Sequence, residues 1–280
     1  MGKQSRAPIV VPSDLSPRSL AVLPVATRLG AVTALHVMQV PAMMLEDHQL
    51  MDRLVEARRA VRRSELLDAL DQRECDDIVA VVKHGNPTDE MATWLAEHRD
   101  ATVVMSSHGR TGINRMLLGS IAERLIRVSV PPVWILKTHA AIAGLLTAHP
   151  RFLVAVDPDD GGGKALIDAV TPWARTCSAR VDLLSVVNNG PLARRPETVL
   201  ADLLSNIPEP HRGTTEVRSG RVRERVVEAA KHWNLVVVGS HSSGRLGRML
   251  LGSVSQGVAR LAPAVAVVPL NPPQDRTIPC

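Results

Sequence analysis

The sequence predicts an α/β protein: two tandem, doubly wound parallel sheets of five strands each, flanked by helices and related by a pseudo-twofold axis. Three observations predict it. First, a fifteen-residue phrase occurs twice, SSHGRTGINRMLLGS from Ser106 to Ser120 and GSHSSGRLGRMLLGS from Gly239 to Ser253. Second, the spacing is constant, since Gly252 minus Gly119, Arg248 minus Arg115 and Ser240 minus Ser107 all give 133. A repeat that long is a duplicated domain, not a solenoid turn. Third, short Val- and Ile-rich runs bounded by turn residues alternate with helix-period segments, as buried parallel strands joined by crossover helices do.

The elements follow in order. Strands are expected at Pro8–Pro12, Val32–Met38, Ile78–Lys83, Thr102–Met105 and Val133–Leu136. Between them, Pro17–Leu29 follows an Asp/Ser turn and reads as a helix, and Leu50, Leu54, Ala57 and Val61 mark one apolar face of a long charged helix. Thr88–Arg99 and Ser120–Val128 complete the first set of helices. The second half repeats the order with strands at Phe152–Val156, Val181–Val187, Thr215–Arg218, Leu235–Val238 and Val265–Val268, and a shorter helix around Thr198–Ile207. The domains are therefore expected at 1–138 and 151–270, with 139–150 as linker and 271–280 as a loose Pro-rich tail. Ligands are expected in the crevices at the carboxyl ends of the strands.

Composition narrows the function. The chain has 280 residues, 45% hydrophobic and 22% charged, enough for two compact cores. The formal charge of +5 is spread along the chain and aromatics make up 2%, so nucleic acid is not an expected partner. The longest uncharged, largely apolar runs, such as Ala140–Ala148, are shorter than the ~18 residues of a bilayer span. The N-terminus MGKQSRAPIV has no signal-peptide apolar region, so no membrane partner and a cytoplasmic location are expected. Cys75, Cys177 and Cys280 are odd in number and lack any CxxC pattern, which reads as reduced thiols without a disulfide framework or zinc site.

In each copy of the phrase a strand runs into a glycine-rich loop, and a helix opens at Gly119-Ser120 or Gly252-Ser253. A helix start presents free N–H groups and a partial positive charge, a ready anion site. Glycine suits it because a Cβ would hold a phosphate away from the backbone and because tight loops often need positive φ. A plainer reading competes. Ser120-Ile-Ala-Glu123 and Ser253-Val-Ser-Gln256 both fit the S-x-x-E/Q capping box, which would make each serine a helix cap. A cap does not account for the long loop upstream, nor for both copies keeping RMLLGS.

The loop resembles the nucleotide-binding signature of the universal stress protein family, G-x-x-G, nine residues, then G-S/T. The first copy reads Ser106-Ser107-His108-Gly109, nine residues, Gly119-Ser120; the second reads Gly239-Ser240-His241-Ser242, nine residues, Gly252-Ser253. Each breaks one glycine. Val10-Val11-Pro12-Ser13-Asp14-Leu15-Ser16 is similar to the family's first strand and aspartate turn, Leu35-His36-Val37 to the end of its second strand, and His84-Gly85-Asn86-Pro87 to the turn after its third. Val156-Asp157, Ser185-Val186 and Ser219-Gly220 match more loosely.

The resemblance implies an ATP cradle, with Mg²⁺ as accompanying ion. Asp14 and Val37 would meet adenine and ribose, while Gly109, Gly119, Ser120 and Ile121 hold phosphates. The second-half counterparts are Asp157, Val186, Gly239, Gly252, Ser253 and Val254. It also implies that the last strands of the halves meet, and physics agrees, because a bare apolar edge strand invites aggregation. A homodimer of whole chains is compatible with it. His108 and His241 read as structural or phosphate-contact residues, since no partner stands at a ligand spacing. Arg110, Arg115, Arg245 and Arg248 could neutralise phosphate or simply be solvated, and Trp94 and Trp134 read as core or interface filler.

The expected function is a cytoplasmic stress-response regulator that binds adenine nucleotide. A tandem scaffold with decayed sites, acting through protein contacts only, is the alternative. An enzyme is the weakest reading, at most a slow ATPase or autokinase, because no general base or dedicated Mg²⁺ carboxylate stands out. The halves are expected to be unequal, the first binding better: Ser242 replaces the loop glycine that aligns with Gly109, and Asp157, Asp159 and Asp160 crowd the second aspartate turn.

Overall fold

A computed structural model describes residues 8–39, 48–71, 78–107, 118–128, 131–187, 194–240 and 252–270. The first half runs β1 (Ile9–Ser13), α1 (Pro17–Leu20), α2 (Leu23–Leu29), β2 (Val32–Met38), α3 (His48–Asp71), β3 (Ile78–His84), α4 (Pro87–Glu97), β4 (Thr102–Ser106), α5 (Ser120–Val128) and β5 (Val133–Leu136). After α6 (His139–Leu145) the second half follows as β6 (Arg151–Ala155), α7 (Gly163–Cys177), β7 (Arg180–Val187), α8 (Pro196–Ser205), β8 (Arg212–Ser219), α9 (Val222–Ala229), β9 (Leu235–Gly239), α10 (Ser253–Leu261) and β10 (Ala264–Val268).

The two expected five-stranded sheets are the halves of a single ten-stranded sheet, ordered β3-β2-β1-β4-β5-β10-β9-β6-β7-β8. Pairing is parallel within each half, as helix crossovers demand. The seam is antiparallel, with Val133 opposite Val267, Trp134 opposite Ala266 and Ile135 opposite Val265. Both seam strands are buried at every residue, so pairing covers two apolar edges at once. Trp134 lies at this seam with its ring edge-on to Phe152 (5.9 Å) and Trp173 (5.0 Å), so three of the five aromatic side chains meet there.

A polar clasp joins α5 to α10. Glu123 Oε1 accepts from Arg127 Nη2 (2.9 Å), Arg260 Nη2 (3.0 Å) and Gln256 Nε2 (3.1 Å). Burial raises the Glu123 pKa, but the bonds and charges of Arg127 and Arg260 outweigh it and hold the carboxyl below its ordinary value. Glu123 and Gln256 stand 133 residues apart, so they are mates across the pseudo-twofold axis. A glutamate facing a glutamine avoids the like-charge pair that two identical halves would make. Arg28 adds a second tie, donating to the carbonyls of Leu145 (2.9 Å), Thr147 (2.7 Å) and Cys177 (2.6 Å).

Two expectations need correction. The single helix expected over Pro17–Leu29 is two, because Pro24 has no N–H for the turn behind it and its ring clashes with the preceding turn's carbonyl. The apolar face chosen for α3 points outward: Leu54 and Val61 are exposed, and the helix is seated by Leu66 and Leu70 instead. Arg59 on the seated side donates Nε to the carbonyl of Val82 on the edge strand (3.0 Å), so an arginine stem covers ground that the apolar pattern assigned to alkyl groups. The stretch expected as linker holds a short helix, α6, which Thr138 caps by accepting from Ala141 N.

Lys137, one residue past β5, carries a buried ammonium with no hydrogen-bond partner among the described residues. Burial pushes its pKa down to about 8. A lysine whose folded pKa lies below its unfolded value destabilises while charged, so stability rises with pH from about 8 toward the unfolded value of about 10.4. Lys137→Met is expected to raise stability at pH 7 by roughly 1–3 kcal/mol and to flatten that rise. Thermal melts of both proteins between pH 7 and 10 check it; a variant no more stable than wild type at pH 7 refutes it.

Candidate functional site

Strand order reverses between β1 and β4, the place where doubly wound sheets bind ligands. A cleft of about 310 Å³ lies there. Its walls come from four regions: Pro12 and Ser13 at the end of β1 with Asp14 and Ser19 after it; Val37 on β2; Pro87 and Met91 of α4; and Met105, Ser106, Ser107, Gly119, Ser120, Ile121 and Ala122 around the phrase. Of the first-half residues picked out from sequence, Asp14, Val37, Gly119, Ser120 and Ile121 all line it. Gly109 lies outside the described residues, as do His108, His241, Ser242, Arg110, Arg115, Arg245 and Arg248.

Local chemistry fixes the aspartate turn. Leu15 takes φ +66, an uncommon conformation for a branched side chain. Ser13 Oγ accepts from Leu15 N (3.0 Å) and pairs with Ser19 Oγ (2.9 Å), while Asp14 Oδ1 accepts from Ser16 N (3.1 Å). Buried His36 bonds the carbonyl of Ser13 through Nδ1 (2.8 Å), locking the ends of β1 and β2 side by side. Side chains of the turn itself, together with His36 from β2, thus fix its shape beside the cleft.

The phrase closes the same way in both halves. Gly119 N donates to Ser107 O (2.8 Å) and Gly252 N to Ser240 O (2.9 Å), pinning each helix start to its strand end. Glu123 N to Gly119 O and Gln256 N to Gly252 O, both 2.9 Å, are the first helical bonds. The capping-box reading fails here: the serines are the first helical residues, Gly252 makes no side-chain cap bond, and Glu123 and Gln256 serve the α5–α10 clasp. The N–H groups of Ser120, Ile121 and Ala122 precede the first helical bond at the cleft wall, the arrangement that receives anions. Positive φ is not the reason for the loop glycine at 252, whose φ is −59. Among described glycines it occurs at Gly85, Gly161 and Gly220.

The second half differs. Asp157 Oδ1 accepts from Asp159 N (3.1 Å), and Asp160 Oδ1 from Gly162 N (2.7 Å). Burial raises the Asp160 pKa, Gly162 N–H offsets part of that, and the Asp157 charge adds to the rise. Val186, Gly252 and Val254 are partly buried and Ser253 is exposed. Gly239, at the end of β9, is covered by the side chain of Leu270.

Sequence reasoning missed Met91, Met105 and Ala122, which read as ordinary core, and Ser19, whose signal was the Ser-rich turn itself. Cys177 is a free buried thiol whose pKa burial pushes up to about 11, which leaves it inert; Cys75 and Cys280 lie outside the described residues. Among the described residues there is no cluster of three metal-ligating side chains, and no helix long and apolar enough to cross a membrane.

Comparison with known proteins places this geometry. A universal stress protein of Mycobacterium bovis is 30% identical over 182 residues, 59% of this chain and 60% of that relative, so the match spans less than two thirds of the relative's length. A second from the same organism is 27% identical over 231 residues, 76% of this chain and 71% of the relative. The crystal structure of a universal stress protein from Archaeoglobus fulgidus superposes with a TM-score of 0.69 at 22% identity, covering 96% of this chain and all of that one, a likeness of fold. The universal stress protein family profile matches twice, over residues 6–137 and 149–269. The chain belongs to the universal stress protein family, as a tandem of two family units.

Proposed function

We propose that the chain is a cytoplasmic stress-response protein that binds adenine nucleotide, ATP, in the first-half cleft and signals through the conformation this sets. The observation that carries the reading is the convergence of Asp14, Val37, Gly119, Ser120 and Ile121 on one cleft of about 310 Å³, within the size range of small-molecule pockets, about 300–1,000 Å³. Val37, Met91, Met105 and Ala122 offer an apolar bed for a flat base, and thioethers adapt well to aromatic faces. Asp14 can accept from ribose hydroxyls. Because Gly119 N is engaged by Ser107, the phosphates fall to the N–H groups of Ser120 and Ile121 at the positive end of α5. Asp14 is the carboxylate among the described lining residues, so Mg²⁺ would be held chiefly by the phosphates themselves. We read the domains as 1–138 and 151–270.

The protein purified without added nucleotide is expected to release ATP or a related adenine nucleotide on denaturation, read by mass spectrometry, and to bind ATP in calorimetric titration. A chain that carries none and binds none refutes the reading and favours a scaffold acting through protein contacts.

A further inference from the structure

We propose that Met91 and Met105 make the first-half cleft an oxidation-sensitive nucleotide site: a peroxide converts their thioethers to sulfoxides and empties the cleft, and bound nucleotide shields them in turn. The proposal rests on the nucleotide reading of that cleft and names its regulation. Both side chains line the cleft, Met91 from α4 and Met105 from β4. They belong to one core cluster with Val37 and Ala122, which line the same cleft.

Geometry limits the oxidant's route. Met91 is 3% exposed and Met105 7%, so the way to either sulfur runs through the cleft that both line. A volume of about 310 Å³ holds several molecules the size of water, and hydrogen peroxide is little larger. A thioether needs no base to act as a nucleophile. A sulfur lone pair attacks one peroxide oxygen, the S–O bond forms as the O–O bond breaks, and the departing hydroxide takes the proton of the new S–OH group. Sulfide and peroxide thus become sulfoxide and water, with sulfur oxidised and peroxide reduced by two electrons. A base lying on the two methionines closes that route.

The product does not suit the bed. A sulfoxide is polar, and its oxygen is a hydrogen-bond acceptor. Turned toward Val37 and Ala122 it faces hydrocarbon, where an unpaired acceptor is costly; turned into the cleft it stands where the base would lie. Either outcome opposes nucleotide binding, and by linkage bound nucleotide opposes oxidation. The second half carries valine at both positions. Gly85 and Gly220 close equivalent turns, donating to Met38 O and Val187 O at 3.0 Å each, so Met91 and Val226, six residues further on in each half, are counterparts. Met105 and Val238, 133 residues apart, are counterparts at the ends of β4 and β9. Buried Val226 and Val238 show that branched hydrocarbon packs at both places, and peroxide leaves it alone. The thioethers stand in the half whose cleft gathers the predicted nucleotide residues.

The test treats the protein with hydrogen peroxide, with and without saturating ATP, maps sulfoxide by peptide mass spectrometry and measures ATP affinity by calorimetry. Met91 and Met105 should be oxidised in the free protein and spared in the ATP complex, whereas Met38, buried but not a lining residue, should react at one rate in both. The oxidised protein should bind ATP at least about tenfold more weakly, and methionine sulfoxide reductases of both stereospecificities should restore it. Met91→Leu/Met105→Leu, compared with its own untreated form, should change by less than about twofold on treatment, since leucine keeps the volume and has no sulfur. Thioethers that resist peroxide in the free protein, equal oxidation with and without ATP, sulfoxide at both with affinity unchanged, or an equal loss in the double variant overturns the proposal. ATP binding that survives treatment removes this regulation alone, while no ATP binding in the untreated protein removes the nucleotide reading and the regulation with it.

Discussion

Gly119→Val is expected to abolish ATP binding while leaving circular dichroism and melting close to wild type. Gly119 stands where β4 hands over to α5, its N–H held by Ser107 O and its Cα facing the cleft. A valine there places two γ-methyls, fixed by β-branching, in the space that phosphates must enter beside Ser120 and Ile121. Backbone strain is not the main effect, since Gly119 is not among the described glycines with positive φ. The expected loss is at least about 100-fold in affinity, or about 2.7 kcal/mol. Gly252→Val is the internal control. It makes the same change in the second copy, where Asp157, Asp159 and Asp160 crowd the aspartate turn, and should leave titration nearly unchanged. A folded Gly119→Val protein with wild-type affinity would remove the loop from the site, and loss of binding in Gly252→Val alone would move the site to the second half.

Why the strand-end residues of the first cleft could be read from sequence, and its apolar lining could not, comes down to the range of the interactions. The constant 133-residue offset makes two units unavoidable, and Val/Ile runs between helix-period segments give strand order through handedness and crossover rules. Asp14 and Gly119 sit at strand ends, where the sheet itself gathers them. Met91 and Met105 line the cleft as well, but an apolar residue in a helix or strand looks the same whether it faces core or ligand. Leu270 is one apolar residue before a Pro-rich tail, and its seat exists only because Gly162 and Gly239 come together in three dimensions. The competing capping-box reading fails for the opposite reason: S-x-x-E is a local pattern, and a tertiary contact took its glutamate. Face selection on α3 failed likewise, because the edge carbonyl of Val82 recruited Arg59.

The largest stability effect is expected at Asp182, a charge in the middle of an apolar strand that no local rule explains. Its side chain is 5% exposed. Oδ2 accepts from Arg151 Nη2 (2.7 Å) and Nε (3.1 Å) and from Trp233 Nε1 (2.7 Å); Oδ1 accepts from Thr214 N (2.8 Å) and Oγ1 (3.0 Å). The Arg151 guanidinium also lies 5.0 Å from the centre of the Trp233 ring, so one carboxylate ties β6, β7, β8 and the turn before β9. Backbone geometry is built around it: register shifts between Val181 and Leu183, and Gly213 has no room for a Cβ against Asp182 Oδ1. Asp182→Ala strands the Thr214 amide and the Trp233 indole N–H without acceptors, and a broken buried pair of this kind costs about 3–5 kcal/mol. Arg151 can swing into water, which puts the expected loss at the lower end, about 3 kcal/mol. Asp182→Asn, which keeps the shape and one acceptor, should lose less. Burial raises the Asp182 pKa, but the bonds from Trp233, Thr214 and Arg151 outweigh it and hold the folded value below the ordinary one. A carboxylate depressed in this way stabilises above its unfolded pKa of about 3.9, and that contribution fades as pH falls through the folded value. Urea unfolding at pH 7 should therefore separate wild type from Asp182→Asn, and the gap should narrow on acidification toward pH ~3. An Asp182→Ala protein within about 1 kcal/mol of wild type at pH 7 would mean that the five bonds do no more than offset the cost of burying the charge.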